Sequence, residues 1–216
     1  DRVEATLPGG RERVGRLAPD QAWRERIGAT MRAAGLNETM TYAFGSPDDT
    51  ARIGWVFPED ELLVELINPM SEEQTVLRRT LLPGMLRSVS WNQRRGGPDG
   101  HLYEMGSVFW TAQGRKQPKE RTVLAGALAG RWQRPAWHDQ RVHGDSEGGL
   151  SGADLNYFDG KGVLEALAFD LGLSRFKVRA AELPWLQPGR SSEVLVGGDV
   201  IGWLGAGMGN TVSLQT

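Results

Sequence analysis

The stretch from Asn68 to Leu86 constrains this chain more than any other. It reads Asn-Pro-Met-Ser-Glu-Glu-Gln-Thr-Val-Leu-Arg-Arg-Thr-Leu-Leu-Pro-Gly-Met-Leu. Asn68-Pro69 closes the apolar run Glu61–Ile67, because proline has no N–H to donate and pushes the residue before it out of the helical region. Thr80 or Leu81 is the expected last residue before a helix, since Pro83 fits a first turn. Leu82, Leu86 and Val89 then recur at helical spacing with Met85 beside them. Arg87, Asn92, Arg94 and Arg95 form the polar side, and Gly96-Gly97-Pro98 stops the helix. His101–Trp110 follows as a strand. The pattern is strand, helix, strand, with Arg78 between them.

The rest of the chain mixes strands and helices. Residues 1–17 read as a polar leader from a preceding domain, with Pro8-Gly9-Gly10 as a turn. Pro19 opens a helix whose apolar face is Trp23, Ile27, Met31 and Ala34, and Gly35 ends it. That face meets either an internal core or another subunit. Thr39–Phe44 alternates as a strand, and Ser46-Pro47-Asp48-Asp49 caps a short helix to about Ile53. Gln113-Gly114-Arg115 reads as a hairpin turn. Thr122–Gly130 reads as a buried strand whose small residues admit close approach of another backbone. Residues 131–155 read as a long loop or partial disorder. Asn156 or Asp159 precedes a helix with Val163, Leu164, Leu167 and Leu171 inward, ended by Gly172. Arg175–Leu183 reads as a strand, Gln187–Glu193 as a turn, and Val194–Val196 with Val200–Leu204 as a hairpin around Gly197-Gly198-Asp199. Without strict βαβ alternation, the pattern favours an antiparallel or mixed sheet with packed helices, an α+β class.

Composition limits the functions open to the chain. Its 216 residues suffice for one large domain or two small ones, and the net charge of −2 supplies no overall basic field toward nucleic acid or membrane. There is no cysteine, which removes disulfides, thiolate nucleophiles and cysteine–zinc sites. No apolar run reaches the roughly 18 residues of a membrane span, and no signal-peptide pattern opens the chain, so a soluble cytoplasmic protein is expected. Both ends look cut from a longer polypeptide. His138, Asp139, His143 and Asp145 match no specific zinc spacing. Gly205-Ala206-Gly207-Met208-Gly209 lacks dinucleotide-fingerprint spacing and reads as a glycine-rich turn. No Gly-x-Ser-x-Gly elbow is present. Arg78-Arg79 with Arg87, Arg94 and Arg95 are candidate phosphate contacts, against the simpler reading of a solvated helix face.

Taken together, Asn68-Pro69-x-Ser-Glu-Glu, Val76-Leu77-Arg78-x-Thr80-Leu-Leu-Pro83-Gly84-x-Leu86, Asn92-x-x-Arg95-Gly96 and Leu102-x-Glu104-x-Gly106-x-Val108-Phe109 resemble the core domain of the phenylalanyl-tRNA synthetase beta subunit. Asn156-Tyr-Phe-Asp159-Gly-Lys161-Gly162, Pro188-Gly189-Arg190-Ser-Ser-Glu193 and Ile201-Gly-Trp-Leu-Gly205 resemble further blocks of that family in the right order. Asp1–Pro8 resembles the end of the domain preceding the core, which then occupies 18–216 and is cut short at its C-terminus.

The resemblance implies a class II aminoacyl-tRNA synthetase-like antiparallel sheet flanked by helices, built like a catalytic module but inert. It implies a ligase of two alpha and two beta subunits, in which alpha charges tRNA with phenylalanine using ATP and Mg²⁺. It implies no cofactor in the core itself, a link to tRNA through the holoenzyme and no membrane partner. An ATP site of this class needs an arginine on the motif-two strand, whereas here Trp110-Thr111-Ala112 follow Phe109. The matched positions Asn68, Pro69, Arg78, Thr80, Pro83, Gly84, Asn92, Glu104, Gly106, Asp159, Lys161, Gly189 and Arg190 are expected to be structural. Arg78 is expected to pair with Glu72, Glu73 or Glu104. Trp23, Ile27 and Met31 are the subunit-interface candidates. The alternative function is an RNA-binding module using Arg87, Arg94 and Arg95.

Overall fold

The computed structural model describes residues 15–97, 99–114, 117–132 and 155–207, and the backbone of 211–215. Most of the expected leader, most of the 131–155 loop with His138, Asp139, His143 and Asp145, and Met208–Asn210 lie outside the described residues.

Helix α1 spans Pro19–Ala33. It starts where Pro19 needs no donor and where Gln21 Oε1 accepts the Ala18 N–H at 2.9 Å. It ends at Gly35, whose φ of 87° is the left-handed conformation expected there. Strand β1 (Asn37–Glu38) follows.

The expected Thr39–Phe44 strand does not form. Only Phe44–Gly45 is strand, β2. The reason lies in where the backbone bonds go. Thr39 N–H donates to Tyr103 C=O at 2.8 Å, while Ala43 C=O accepts from Arg78 N–H at 2.8 Å. The segment therefore leaves one sheet to join another. Glu61–Ile67 divides in the same way. Leu62 bridges Thr111, and only Val64–Glu65, β3, is strand, paired with β4 (Val76–Leu77). Between them, α2 (Asp48–Arg52) is the short helix expected after Ser46.

Helix α3 (Leu82–Gln93) carries Pro83 in its first turn. Two long strands, β5 (Gly100–Trp110) and β6 (Lys119–Ala129), pair in a hairpin from Gly100↔Ala129 to Trp110↔Lys119. Helix α4 (Tyr157–Asp170) is capped by Asn156, whose Oδ1 accepts the Phe158 N–H at 2.7 Å, while Asp159 Oδ2 accepts the Asn156 N–H at 2.7 Å. Strands β7 (Phe176–Ala180), β8 (Ser191–Val196), β9 (Asp199–Ala206) and β10 (Thr211–Gln215) complete the chain. The β8–β9 turn is Gly197-Gly198, with φ of 67° and 111°, as the hairpin signal requires.

Two expectations are corrected here. Ser191, Ser192 and Glu193 belong to β8 rather than to a turn, and both serines are buried. Gly205 lies inside β9, not in a glycine-rich turn. A Cβ there would collide with Leu186 and stand 3.1 Å from Arg190 C=O.

The large sheet runs β1-β5-β6-β10-β9-β8-β7 and the small one β2-β4-β3. Every described pairing is antiparallel except β1 with β5. The class is α+β, an antiparallel sheet flanked by helices. Strand β6 shows how both faces are covered. Val123, Ala125, Ala127 and Ala129 meet Leu81, Met85 and Val89 beneath α3. Leu124 and Leu128 meet Met31, Tyr103, Val163, Leu164 and Leu167 from the other side. The alternation is the pleat of a strand buried twice, and each fully buried Leu or Met contributes about 1.5–3 kcal/mol. The alanines let α3 lie close on its face. Among the described residues no helix is long and apolar enough to cross a membrane.

Candidate functional site

Arg78 sits where β4 leaves the small sheet, and its side chain reaches the large one. Its Nη1 lies 2.8 Å from Glu104 Oε1 on β5, and its Nε donates to Ser107 C=O at 2.9 Å. Nη1 also faces Thr41 C=O at 3.0 Å and Thr41 Oγ1 at 2.9 Å. Thr41 in turn donates its hydroxyl to Glu104 Oε2 at 2.7 Å and its N–H to Oε1 at 3.2 Å. The Glu104 side chain is 3% exposed and that of Arg78 13%. Glu104 is thus the carboxylate that Arg78 meets, while Glu72 and Glu73 are exposed.

The two motif glycines make room for this cluster. A Cβ at Gly106 would strike the Arg78 guanidinium and stand 3.1 Å from Glu104 Oε1. One at Gly84 would stand 2.5 Å from Thr41 Oγ1. Thr80 is buried, and its Oγ1 accepts the Leu82 N–H at 3.3 Å at the start of α3. Asn92 C=O accepts from Arg95 and Gly97 N–H, both at 3.0 Å, at the helix end. Pro83 is half-buried in the first turn, and Asn68 and Pro69 lie exposed on the loop before β4. Chemically the cluster is a network of donors and acceptors tying β4, β5 and the 39–43 crossing together. A buried pair that is hydrogen-bonded on several sides suits architecture rather than turnover.

A second group of motif residues converges on a cavity of about 510 Å³, lined by Tyr157, Phe158, Lys161, Gly189, Arg190 and Ser192 among others. Tyr157 Oη and Ser192 Oγ lie 2.6 Å apart across it. Lys161 is ion-paired with Glu165 at 2.6 Å, and that bond raises its pKa. Asp159 is spent on capping α4.

The interface candidates on α1 separate. Met31 is 1% exposed inside the chain's own core, and Ile27 packs against the same cluster. Met31 therefore has no surface to offer another subunit, which corrects that expectation. The helix buries its C-terminal half against β5 and α4. Trp23, a turn earlier than Ile27, is 48% exposed. The three arginines of α3 also divide. Arg87 Nη1 lies 2.7 Å from Asp49 Oδ1 of α2, and the Arg95 guanidinium stacks 3.8 Å from the Trp91 ring centre. Arg94 is exposed.

Sequence reading missed Thr41, the hub of the Arg78 cluster, because a polar residue in an alternating run reads as solvent-facing. It also missed the aromatic group around Trp55. That ring stacks on Trp185 at 4.9 Å and on Phe57 at 5.4 Å, and meets Trp203 edge-on at 4.0 Å. No local spacing joins these positions. Among the described residues no trio of His, Asp or Glu is placed to hold a metal ion.

Comparison with known proteins agrees with this geometry. Residues 3–207 match the family model described as the phenylalanyl tRNA synthetase beta chain CLM domain. The phenylalanine–tRNA ligase beta subunit of Geobacillus kaustophilus is 37% identical over 207 residues, which cover 95% of this chain and 24% of that protein. The beta subunits of Listeria monocytogenes and Bacillus subtilis are 34% and 32% identical over the same shares. The chain thus spans about a quarter of the length of these relatives. A pyrrolysyl-tRNA synthetase from Desulfitobacterium hafniense superposes with a TM-score of 0.61 at 14% identity, over 91% of this chain and 63% of that one. This likeness concerns the fold, a class II synthetase-like sheet. With the ordered motifs, the Arg78–Glu104 cluster and this fold in agreement, the chain belongs to the phenylalanyl-tRNA synthetase beta chain CLM domain family.

Proposed function

We propose that this domain is the non-catalytic core of a phenylalanine–tRNA ligase beta subunit, and that its work is to seat the alpha subunit in a cytoplasmic assembly of two alpha and two beta chains. In this reading alpha binds ATP and Mg²⁺ and charges the tRNA, and the core contributes a rigid surface.

The observation that carries the proposal is the use to which the motif charges are put. Arg78 Nε and Nη1 and both Glu104 carboxylate oxygens are engaged with Thr41, Ser107 and each other within 2.7–3.2 Å, which supports a structural use of the pair. At the end of β5 the position after Phe109 is Trp110, and the Arg121 guanidinium rests 4.9 Å from its ring centre. An indole there offers packing, not the charge neutralisation that adenylate chemistry needs. Large apolar side chains stand in water on the surface around the small sheet and on α1. Met40 is 90%, Tyr42 81%, Ile67 96% and Met70 92% exposed, beside Trp23 at 48%. Such surface is a mark of protein contact.

Co-purification of the full beta subunit with alpha, followed by size analysis, tests the assembly. A stable complex weakened by Trp23→Ala or Tyr42→Ala supports the seating role, since neither side chain is buried in the core. A complex indifferent to both overturns it. ATP–phenylalanine exchange catalysed by the beta chain alone would overturn inertness. A tRNA affinity that falls steeply with salt and drops in Arg94→Gln would favour the RNA-binding alternative.

A further inference from the structure

One face of the large sheet carries a cleft. Its floor is β5, β6 and β9, and its wall is the irregular segment Trp55–Glu61. The volume is about 540 Å³, within the range of small-molecule sites, and the lining includes Trp55, Phe57, Arg79, Trp110, Arg121 and Trp203.

Arg79 gives the cleft its chemistry. The face of its guanidinium lies 3.7 Å from the Phe57 ring centre. Its Nε and Nη2 are buried and have no acceptor among the described residues. These two nitrogens form one edge of the guanidinium, with parallel N–H groups that match the two oxygens of a carboxylate or phosphate. A buried donor left unmet is costly, and more so when it is charged. Burial pushes the Arg79 pKa down, opposed by the charge of Glu61. Arg121 supplies a second cation against Trp110. Two cations outnumber the one lining carboxylate, Glu61, and stand beside apolar and aromatic side chains, which suits an anionic end on an apolar body.

We propose that this cleft binds a small organic anion with an aromatic body, its carboxylate or phosphate held by Arg79 and Arg121 and its apolar body packed along the Val108, Trp110 and Ile201 side of the lining. Arg79 Nε and Nη2 are buried and the Phe57 ring lies over the guanidinium, so in this proposal the anion reaches them by displacing Phe57 and its segment. That segment is tied by a turn, Glu61 N–H to Pro58 C=O at 3.0 Å, and not by a strand ladder. The inference is independent of how alpha is seated, and each can fail without the other.

Calorimetric titration of the full alpha–beta assembly tests it, with 2-naphthoate as the aromatic-acid probe and uridine 5′-monophosphate as the nucleotide probe. The expected result is saturable heat for one probe, weakened roughly tenfold by Arg121→Gln, as loss of one charge-assisted contact predicts. Lys161→Gln, in the other cavity, leaves it unchanged. Response to naphthoate assigns an aromatic acid, and response to the nucleotide assigns a mononucleotide. If neither probe binds, or if binding is the same in Arg121→Gln, the proposal is overturned. Arg79→Gln serves as a second variant where its thermal melt remains cooperative; if it unfolds, Arg121→Gln decides alone.

Discussion

Removing Glu104 would leave the Arg78 guanidinium in a pocket without its counter-charge. Breaking such a buried pair from one side costs about 3–5 kcal/mol, so Glu104→Ala should lower the denaturant midpoint strongly without changing its slope. Gly106→Ala acts on the same cluster from the backbone side, because the added methyl occupies the Arg78 position. It should destabilise more than Gly162→Ala, where nothing lies within 4 Å. Tyr103 offers a test by pH. Its hydroxyl donates to Glu38 at 3.1 Å and receives Arg32 Nη1 at 2.9 Å. Burial, followed by the Glu38 hydrogen bond, raises its pKa above the ordinary value of about 10. A raised folded pKa adds stability that is present below the unfolded value and lost as pH climbs through the folded one. Melting temperature should therefore fall above about pH 10, with a component absent in Tyr103→Phe. At this scale the sequence was partly legible. Arg78 stood out, and Glu104 was one of three partners open to it. The choice among them rests on the β5 register, Glu104 opposite Ala125, which no local pattern encodes.

Helices and hairpins were the legible elements, because their signals are local. Proline at the start of α1 and α3, Asn156 before α4 and the Gly197-Gly198 turn are each read within a few residues. The α4 cap is open to direct test. Asn156→Ala should cost about 1 kcal/mol, seen as a lower melting temperature with the fold retained by circular dichroism. Asn156→Asp should restore most of the loss, since either side chain accepts the Phe158 N–H. The short strands were illegible for a physical reason. The 39–44 and 61–67 segments alternate like strands, but their hydrogen bonds are divided between two sheets, and the division is tertiary. The turn expected over Gln187–Glu193 forms in its first half, where Arg190 N–H reaches Gln187 C=O at 3.1 Å, and gives way to β8 from Ser191. Polar residues there are buried because Tyr157 and Ala181 C=O accept their company, at 2.6 Å from Ser192 Oγ and 2.5 Å from Ser191 Oγ.

For the whole molecule, motif order carried the fold further than periodicity did. Periodicity left antiparallel and mixed sheets open, whereas the order of the blocks pointed to one architecture. The molecule also has a property that follows from the crossing segments. Thr39 is bonded to Tyr103, Leu62 to Thr111, and Phe109 N–H to Arg78 C=O at 2.9 Å. The small sheet thus has no backbone seam along which it could open alone. In native-state hydrogen exchange, the amides of Val76 and Leu77 should be released with the same free energy as those of β5, in one global step and not as a separate low-energy unit. A surface mounted on such a sheet cannot soften while the core stays folded. A partner resting on it would meet either the whole platform or none.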